Sequence, residues 1–432
     1  MKGIAKAAAV AVAVAAGLAL AGCSGGSSSS SSSSSGPVSL VFWNNGTGDK
    51  SQAYWQSTIA DFEAQYPGVT VTAQVVQDAD FDAKLQSAMQ ANTTPDIFLQ
   101  RGGQKLADQV AAGQVLDITN QITSDTKSAL GDAAFSFDEL NGKIYAMPMS
   151  VQPEGFWYNQ DLFDKAGITS TPTDMASFNA AVTSLKNAGI TPIALGGATA
   201  WPAAHYFYSF ALRECSQQVI QNLPNDKALD DPCWLKAIQD VSDLNATNPF
   251  EQGFLTVQAQ TGAGSSAGLI ATGQAAMELQ GAWEPGTVGQ FTPDGQNLSS
   301  LRFFPFPAVP GGQGDPSAVM AGSDGYSCSA KAPEPACVNF LNFIAQTKYQ
   351  EGYATAYSTL PTNKNAMSVV TDPALLSALQ TFQNAKYNAL WFDSALGSDT
   401  GTAVNNAIVA LLAGQQTPQQ ALQAMQTAVK GS

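Results

Sequence analysis

The hydrophobic positions between residues 38 and 99 change period from strand to helix and back. Residues 38–43 are apolar and β-rich, and 69–75 alternate apolar with other side chains. Between these runs, apolar residues recur at the three- and four-residue spacing of a helix face. The pattern predicts strands at 38–43, 69–75 and 97–99 and helices around 55–66 and 81–91. Such alternation is typical of an α/β layer with a largely parallel sheet.

A second pattern lies at residues 142–159, where two short apolar runs, 144–147 and 156–158, are separated by Pro148 and Pro153. Proline cannot donate a hydrogen bond to a sheet ladder. We therefore expect one strand to leave a first domain here and another to enter a second. This predicts a cleft between two domains, and the function is expected in that cleft.

The alternation then resumes. A helix capped by Thr173 and closed by Gly189 precedes a strand at 190–195, and a further strand is expected at 275–279. Residues 301–306 are predicted to form a strand that returns to the first domain. Two helices end the chain, and Thr417-Pro418 marks the start of the last one.

Length and charge narrow the classes of function. With 432 residues, the chain is too long for one comfortable core, so two domains are expected. The net charge is −15, and the arginines are Arg101, Arg213 and Arg302. Nucleic acid is an unfavourable partner because phosphate contacts need a basic surface.

The N-terminus has the features of an export signal. Lys2 and Lys6 precede an apolar run at 7–20, which is shorter than the roughly 20 residues of a membrane-spanning helix. The sequence at 20–23, ending in Cys23, resembles a bacterial lipobox. It predicts a signal peptide at 1–22, a lipid on Cys23, and a flexible Ser/Gly-rich tether at 23–37. We expect a lipid-anchored protein on the extracellular side of the cell membrane.

Four cysteines remain after Cys23, an even number that outside the cytosol indicates two disulfides. The pairing local in sequence joins Cys215 to Cys233 and Cys328 to Cys337. Each bridge would stabilise the fold by about 2–3 kcal/mol through loop closure.

Catalytic motifs are weak. Residues 264–268 match Gly-x-Ser-x-Gly, but His205, the only histidine, precedes Ser266 instead of following it. One histidine also excludes a histidine-based metal cluster, and no cofactor is expected. Paired carboxylates for glycoside hydrolysis stay open, since any two acidic residues could meet in the fold.

Binding is the stronger hypothesis. A tryptophan that covers on the order of 50–100 Å² of a sugar face contributes roughly 1–2.5 kcal/mol. Amide, carboxylate and guanidinium groups then pair with the hydroxyls. These types of residue occur beside turns, at predicted strand ends and in the crossing stretch. The candidates are Trp43, Asn45, Gln100, Arg101, Glu154, Trp201, Trp283, Asp324, Trp391 and Asp393.

The chain resembles the extracellular solute-binding proteins of bacterial ABC importers, in the group that includes maltose-binding protein and actinobacterial oligosaccharide-binding lipoproteins. The resemblance runs from about residue 38 to 429. It depends on the order and spacing of FEAQYPGV at 62–69, TPDIF at 94–98, NGKIYAMP at 141–148, WYNQDLF at 157–163, GQAAM at 273–277, GAW at 281–283 and LAG at 412–414.

The resemblance implies a two-lobed periplasmic-binding-protein fold. Each lobe would be a mixed, mostly parallel sheet flanked by helices, with the ligand cleft between them. Residues 38–148 and 300–347 would form the N-terminal lobe, and 149–299 and 348–432 the C-terminal lobe. Trp283 matches a family tryptophan that stacks on sugar. Asn45, Gln100, Trp201, Asp324 and Asp393 fall where relatives place cleft residues.

The resulting hypothesis is a binding protein, not an enzyme, that closes on a neutral mono- or oligosaccharide and delivers it to the transmembrane subunits of an ABC permease. We expect a monomer. Gln152 stands where the maltose-binding pattern has a glutamate, so the sugar is left open. The alternatives are an extracellular glycoside hydrolase and the same fold with a non-sugar solute.

Overall fold

A computed structural model of the chain describes residues 36–431. The predicted signal peptide, Cys23 and most of the predicted tether lie outside this range. The strands of the described range are β1 (Val38–Asn44), β2 (Val69–Val75), β3 (Ile97–Gln100), β4 (Glu139–Leu140), β5 (Lys143–Ile144), β6 (Met147–Val151), β7 (Gly155–Asn159), β8 (Thr191–Ile193), β9 (Ala275–Gln280), β10 (Leu301–Phe304), β11 (Val319–Met320), β12 (Ser323–Cys328), β13 (Leu360–Pro361) and β14 (Asn388–Ala389).

The α-helices of the same range are α1 (Asp49–Gln65), α2 (Asp78–Gln90), α3 (Gly103–Ala111), α4 (Ser124–Leu130), α5 (Gln160–Lys165), α6 (Met175–Asn187), α7 (Trp201–Glu214), α8 (Gln217–Asp226), α9 (Pro232–Ala246), α10 (Ser266–Ala271), α11 (Glu284–Gly289), α12 (Glu334–Ile344), α13 (Thr347–Tyr357), α14 (Pro373–Asn384), α15 (Phe392–Ala395), α16 (Ser398–Leu412) and α17 (Pro418–Lys430). Among residues 36–431, no helix is both long and apolar enough to cross a lipid bilayer.

The first large sheet has the strand order β13-β6-β12-β3-β1-β2. Strand β1 runs parallel to β2 and β3, and the other pairs are antiparallel. Aromatic side chains fill the space between this sheet and its helices: Phe42 of β1 meets Trp55 of α1 at 4.7 Å between ring centroids. Phe340 of α12 packs against both Phe42 and Phe62. This layer forms one continuous apolar core.

The second large sheet has the order β10-β7-β9-β8, with β8 parallel to β9. Its main core is built around α7, in which every residue after Trp201 is buried. Phe156 of β7 stacks on Phe304 of β10 at 5.2 Å, and Trp157 meets Phe303 at 4.9 Å. The α/β architecture with two sheets is therefore confirmed.

The predicted crossing is confirmed, since β6 belongs to the first sheet and β7 to the second. The strand β6 includes Pro148, which was expected to lie between strands. In the connection between β6 and β7, the backbone N–H of Gln152 donates to the Gly322 carbonyl and that of Glu154 donates to the Met320 carbonyl, both at 2.9 Å. The segment 320–322, which leads into β12 of the first sheet, therefore runs beside the crossing.

Three details of the predicted organisation are wrong. Strand β10 lies antiparallel to β7 in the second sheet and does not return to the first. Strand β13 pairs with β6, so the first sheet continues beyond residue 347. Parallel pairing in the two large sheets is confined to β1–β2, β1–β3 and β8–β9, so they are less parallel than predicted. The sequence of an apolar strand does not indicate which sheet it joins, because this depends on aromatic partners from distant segments.

Both predicted disulfides are confirmed. Cys215 pairs with Cys233 across 18 residues, and Cys328 pairs with Cys337 across 9. The first ties the end of α7 to the start of α9, and the second ties β12 to α12. The capping prediction for the last helix is also confirmed, because Thr417 and Gln420 form a capping box with Pro418 at the first helical position.

Candidate functional site

A cavity of about 820 Å³ lies between the two sheets. Its walls come from the segments that follow β1, β2 and β3 on one side and β8 and β9 on the other. Ligands of open α/β sheets bind beyond the carboxyl ends of the strands. The volume is within the range of small-molecule sites.

Three indole rings form one wall of the cavity. Trp283 lies between the other two, with ring centroids 5.9 Å from Trp201 and 5.4 Å from Trp391. The His205 ring stacks almost parallel on Trp391 at 5.6 Å. We refer to these four side chains as the aromatic wall.

Two glycines allow the aromatic wall to pack closely against the backbone. A Cβ atom on Gly281 would lie 2.3 Å from the Trp283 ring, and one on Gly322 would lie 2.4 Å from the Trp391 ring. Ala200, directly before Trp201, adopts φ 66° and ψ −51°. This is strained backbone for a residue with a side chain, and such strain concentrates at functional sites.

Behind the aromatic wall lies the buried carboxylate of Glu154. It accepts hydrogen bonds from Trp391 Nε1 at 2.7 Å and from Ser209 Oγ at 2.8 Å. His205 Nδ1 lies against the same carboxylate without hydrogen-bond geometry. Glu154 therefore fixes the orientation of the Trp391 ring.

The opposite wall is polar and centred on Arg101, which follows β3. Its guanidinium pairs with Asp78, after β2, and with Asp324 of β12, whose Oδ1 lies 2.9 Å from Nε. Asn45 Nδ2 donates to Asp78 at 3.2 Å, and Gln152 Nε2 reaches Asp324 at 3.4 Å. The carboxyl-end loops of neighbouring strands thus converge on one hydrogen-bonded group.

The cavity is acidic although two partly buried cations, Arg101 and Lys105, line it. Partial burial disfavours the charge of Arg101, but attraction to Asp78 and Asp324 raises its pKa above the usual value. Burial likewise opposes the charge of Lys105, and nearby Asp82 and Asp393 raise its pKa. Both cations therefore already face carboxylates. An anionic ligand would have to displace these carboxylates from Arg101 and Lys105, so the polar wall suits neutral hydroxyl or amide groups.

The serine motif does not form a nucleophilic site. Ser266 is buried at the start of α10, and its hydroxyl lies within hydrogen-bond distance of both the Ala259 carbonyl and Glu278 Oε1. Glu284 lies beside Glu278, and both carboxyls are buried. Burial raises the pKa of Glu278 to about 7 and raises that of Glu284 well above its usual value. These groups support the second sheet behind the cavity.

Comparison with known proteins identifies the family. The family of bacterial extracellular solute-binding proteins matches residues 45–351, well over half of the chain. The chain belongs to this family. It is therefore an extracellular solute-binding protein of the type that works with ABC transporters.

Its relatives include an uncharacterized ABC transporter extracellular-binding protein of Pyrococcus horikoshii, 25% identical over 81% of this chain and 77% of the relative. A solved structure from work on xylan utilization by Caldanaerobius polysaccharolyticus has a TM-score of 0.83 and 27% identity, covering 90% of this chain and 99% of that one. A chitin oligosaccharide binding protein has a TM-score of 0.80 and 26% identity, covering 91% and 98%. The two-lobed fold class predicted from the sequence is confirmed by these structures.

Seven of the ten candidate residues of this solute-binding protein line the cavity. They are Asn45, Arg101, Trp201, Trp283, Asp324, Trp391 and Asp393. Asp393, in the first turn of α15, accepts from Asn405 Nδ2 at 3.3 Å. Whether these side chains contact a ligand stays a prediction.

The other three candidates lie elsewhere. Trp43 faces the layer of α2, where its Nε1 donates to Gln74 and Lys84 lies 4.6 Å above the ring. Gln100 accepts from the Arg101 and Gly102 amides and so holds the turn after β3. Glu154 lies behind the aromatic wall. Adjacent strand residues face opposite sides, so a position near a strand end does not fix which way its side chain points.

Sequence reasoning missed several lining residues, including Asp78, Gln152 and His205. Asp78 follows β2 just as Asn45 follows β1, so the carboxyl-end rule could have found it. Gln152 lies in the crossing, two residues before Glu154. His205 is 3% exposed. Its place beside Trp391 depends on α15, nearly two hundred residues later, and the sequence carries no sign of that contact.

Proposed function

We propose that this protein captures a neutral mono- or oligosaccharide in the cavity and presents it to the membrane subunits of an ABC importer. One observation carries the proposal: a wall of indole rings faces a wall of amide, carboxylate and guanidinium groups across a single cavity. Indoles bury the apolar face of a sugar ring, and the polar groups pair with its hydroxyls. The relation to a chitin oligosaccharide binding protein supports the same ligand class.

Closure of the two lobes around the ligand is part of the proposal. The cavity is lined from both sheets, so a ligand contacts both sides only when they are close. Small-angle X-ray scattering should show a smaller radius of gyration with a bound sugar than without it. An unchanged radius, with binding confirmed by calorimetry, would count against closure.

The ligand class is tested by a thermal-shift screen with mono- and oligosaccharides, including xylo-, N-acetylchito- and malto-oligosaccharides. A ligand at 100 times its dissociation constant stabilises the folded state by about 2.7 kcal/mol. We expect a shift with a neutral sugar and none with its uronic acid counterpart. If amino acids, peptides or polyamines shift the transition and no sugar does, the sugar proposal is wrong.

An assay for new reducing ends in the same protein–sugar mixtures distinguishes binding from hydrolysis. In the cavity, Asp324 is paired with Arg101, and Glu154 is sealed behind Trp391. We therefore expect no new reducing ends after long incubation with any sugar that binds. Their appearance at a rate proportional to protein concentration would favour the glycoside hydrolase alternative.

The lipid anchor at Cys23, the signal peptide at 1–22 and the tether at 23–37 belong to the proposal as sequence-based predictions. Mass spectrometry of protein purified from membranes of the producing cell tests them. We expect a mature N-terminus at Cys23 that carries acyl groups. Protein that is released to the medium with an unmodified Cys23 would contradict the predicted lipid anchor.

A further inference from the structure

A second cavity of about 590 Å³ adjoins the first. It lies between α2 and α3 on the side of the first sheet and the segment before α16 together with the end of α17 on the other. We call it the second chamber. Six residues line both cavities, which makes the two spaces neighbours across one partition: Asp82, Gln86, Arg101, Lys105, Ser398 and Asp399.

The second chamber is lined by apolar and amide side chains and by three acidic and three basic residues, so its charges balance. Leu85, Met89 and Leu396 provide apolar surface, and several glutamines surround it. Gln90 is exposed and Gln114 half-buried, and neither side-chain amide hydrogen-bonds to another described residue, so both are accessible to a ligand. Unpaired primary amides next to aliphatic surface suit a neutral molecule with hydroxyl or acetamido groups. No aromatic ring from the described residues lines this chamber, so it offers less stacking than the main cavity.

The partition between the chambers includes side chains that line both cavities, among them the ion pair of Lys105 and Asp82. Lys105 Nζ lies 2.6 Å from Asp82 Oδ2, and the Asp82 side chain is 48% exposed. Both side chains project from helices, α3 and α2 respectively. A partly exposed ion pair of this kind contributes little stability, so a ligand hydroxyl that pairs with either partner can replace it.

We propose that the second chamber receives the further units of an oligosaccharide whose first units lie against the aromatic wall. The inference rests on the proposed sugar-binding function and makes it more specific: the ligand is a chain that passes the Asp82–Lys105 pair, not a monosaccharide. The glutamines would then act as length-determining residues, while the tryptophans select for a sugar ring.

The test measures affinity against chain length by isothermal titration calorimetry, with xylo-, N-acetylchito- and malto-oligosaccharides of one to six units. Gln90→Trp and Thr427→Trp fill the second chamber from opposite walls, and neither residue lines the main cavity. Gln65→Trp is the matched control, because Gln65 is the exposed last residue of α1 as Gln90 is of α2. Circular dichroism confirms that each variant is folded.

For the wild type and Gln65→Trp, we expect the affinity to rise by about tenfold or more from the shortest binding sugar to the longer ones. Gln90→Trp and Thr427→Trp should bind the short sugar normally and lose that gain. The inference is overturned if affinity is independent of length, or if the filled variants match the control. Absence of binding by sugars of every length would instead refute the proposed function itself.

Discussion

Replacing Glu154 by alanine removes the buried acceptor that orients Trp391. Two hydrogen bonds to a carboxylate are lost, from Trp391 Nε1 and Ser209 Oγ, and each is worth about 1.5–3 kcal/mol. The variant also no longer buries a carboxylate, which offsets part of the loss. We therefore expect the free energy of unfolding to fall by about 3 kcal/mol, the lower end of the summed range.

Urea denaturation followed by circular dichroism measures this change without depending on the fluorescence of Trp391. Glu154→Gln is the matched control, because its side-chain carbonyl can still accept from the indole; it should lose less than half as much stability. Sugar affinity should fall in the alanine variant and be largely kept in the glutamine variant. A loss of under about 1 kcal/mol for Glu154→Ala, within the range of an ordinary surface substitution, would refute the anchoring argument.

Other perturbations test separate parts of the structure. Trp283→Ala should weaken sugar binding by about tenfold through lost stacking area, and unchanged affinity in calorimetry would remove this ring from the site. Replacing Cys215 and Cys233 together by alanine should lower unfolding stability by about 3 kcal/mol in urea, since the bridge closes an 18-residue separation; an equal stability with and without the bridge would contradict this. Burial raises the pKa of Glu278 to about 7 and that of Glu284 well above its usual value, so the stability gained from the protonated form of Glu278 is complete below its usual pKa of 4.5 and is lost as the pH rises through about 7. Glu278→Gln should make the decline of unfolding free energy between about pH 5 and 7 shallower by up to ~1.4 kcal/mol per pH unit, and a parallel profile would exclude this source.

Local pattern was sufficient for much of the fold. The period of apolar residues located α1, α2 and the strands β1, β2 and β3, and the proline-bounded runs at 142–159 located the crossing. These features depend on neighbours in sequence. The strand β10 was assigned to the wrong sheet, because its place depends on Phe156 and Trp157, which lie far away in the chain.

The candidate site shows the same division. Trp283 and Asp324 were identified because each lies beside a turn or a predicted strand end and because the family resemblance places cleft residues at these positions. Glu154 was predicted to contact the ligand, whereas it lies behind Trp391 and accepts a hydrogen bond from that indole. Charge and position do not reveal what covers a side chain, and here the cover comes from a segment more than two hundred residues later. The Asp82–Lys105 pair was missed because each residue is an ordinary helix-surface charge when considered alone.

The tripeptide 152–154 joins the two sheets and also holds both sides of the cavity, since Gln152 reaches Asp324 and Glu154 anchors Trp391. A torsion change in these three residues moves the polar and the aromatic surface at once. In the closure proposed above, a substitution in these three residues would change the angle of closure together with the ligand preference. A change in sugar preference is easier to obtain through substitutions in the loops around Trp201 and Trp283, because ligand contacts can change there while residues 152–154 stay unchanged.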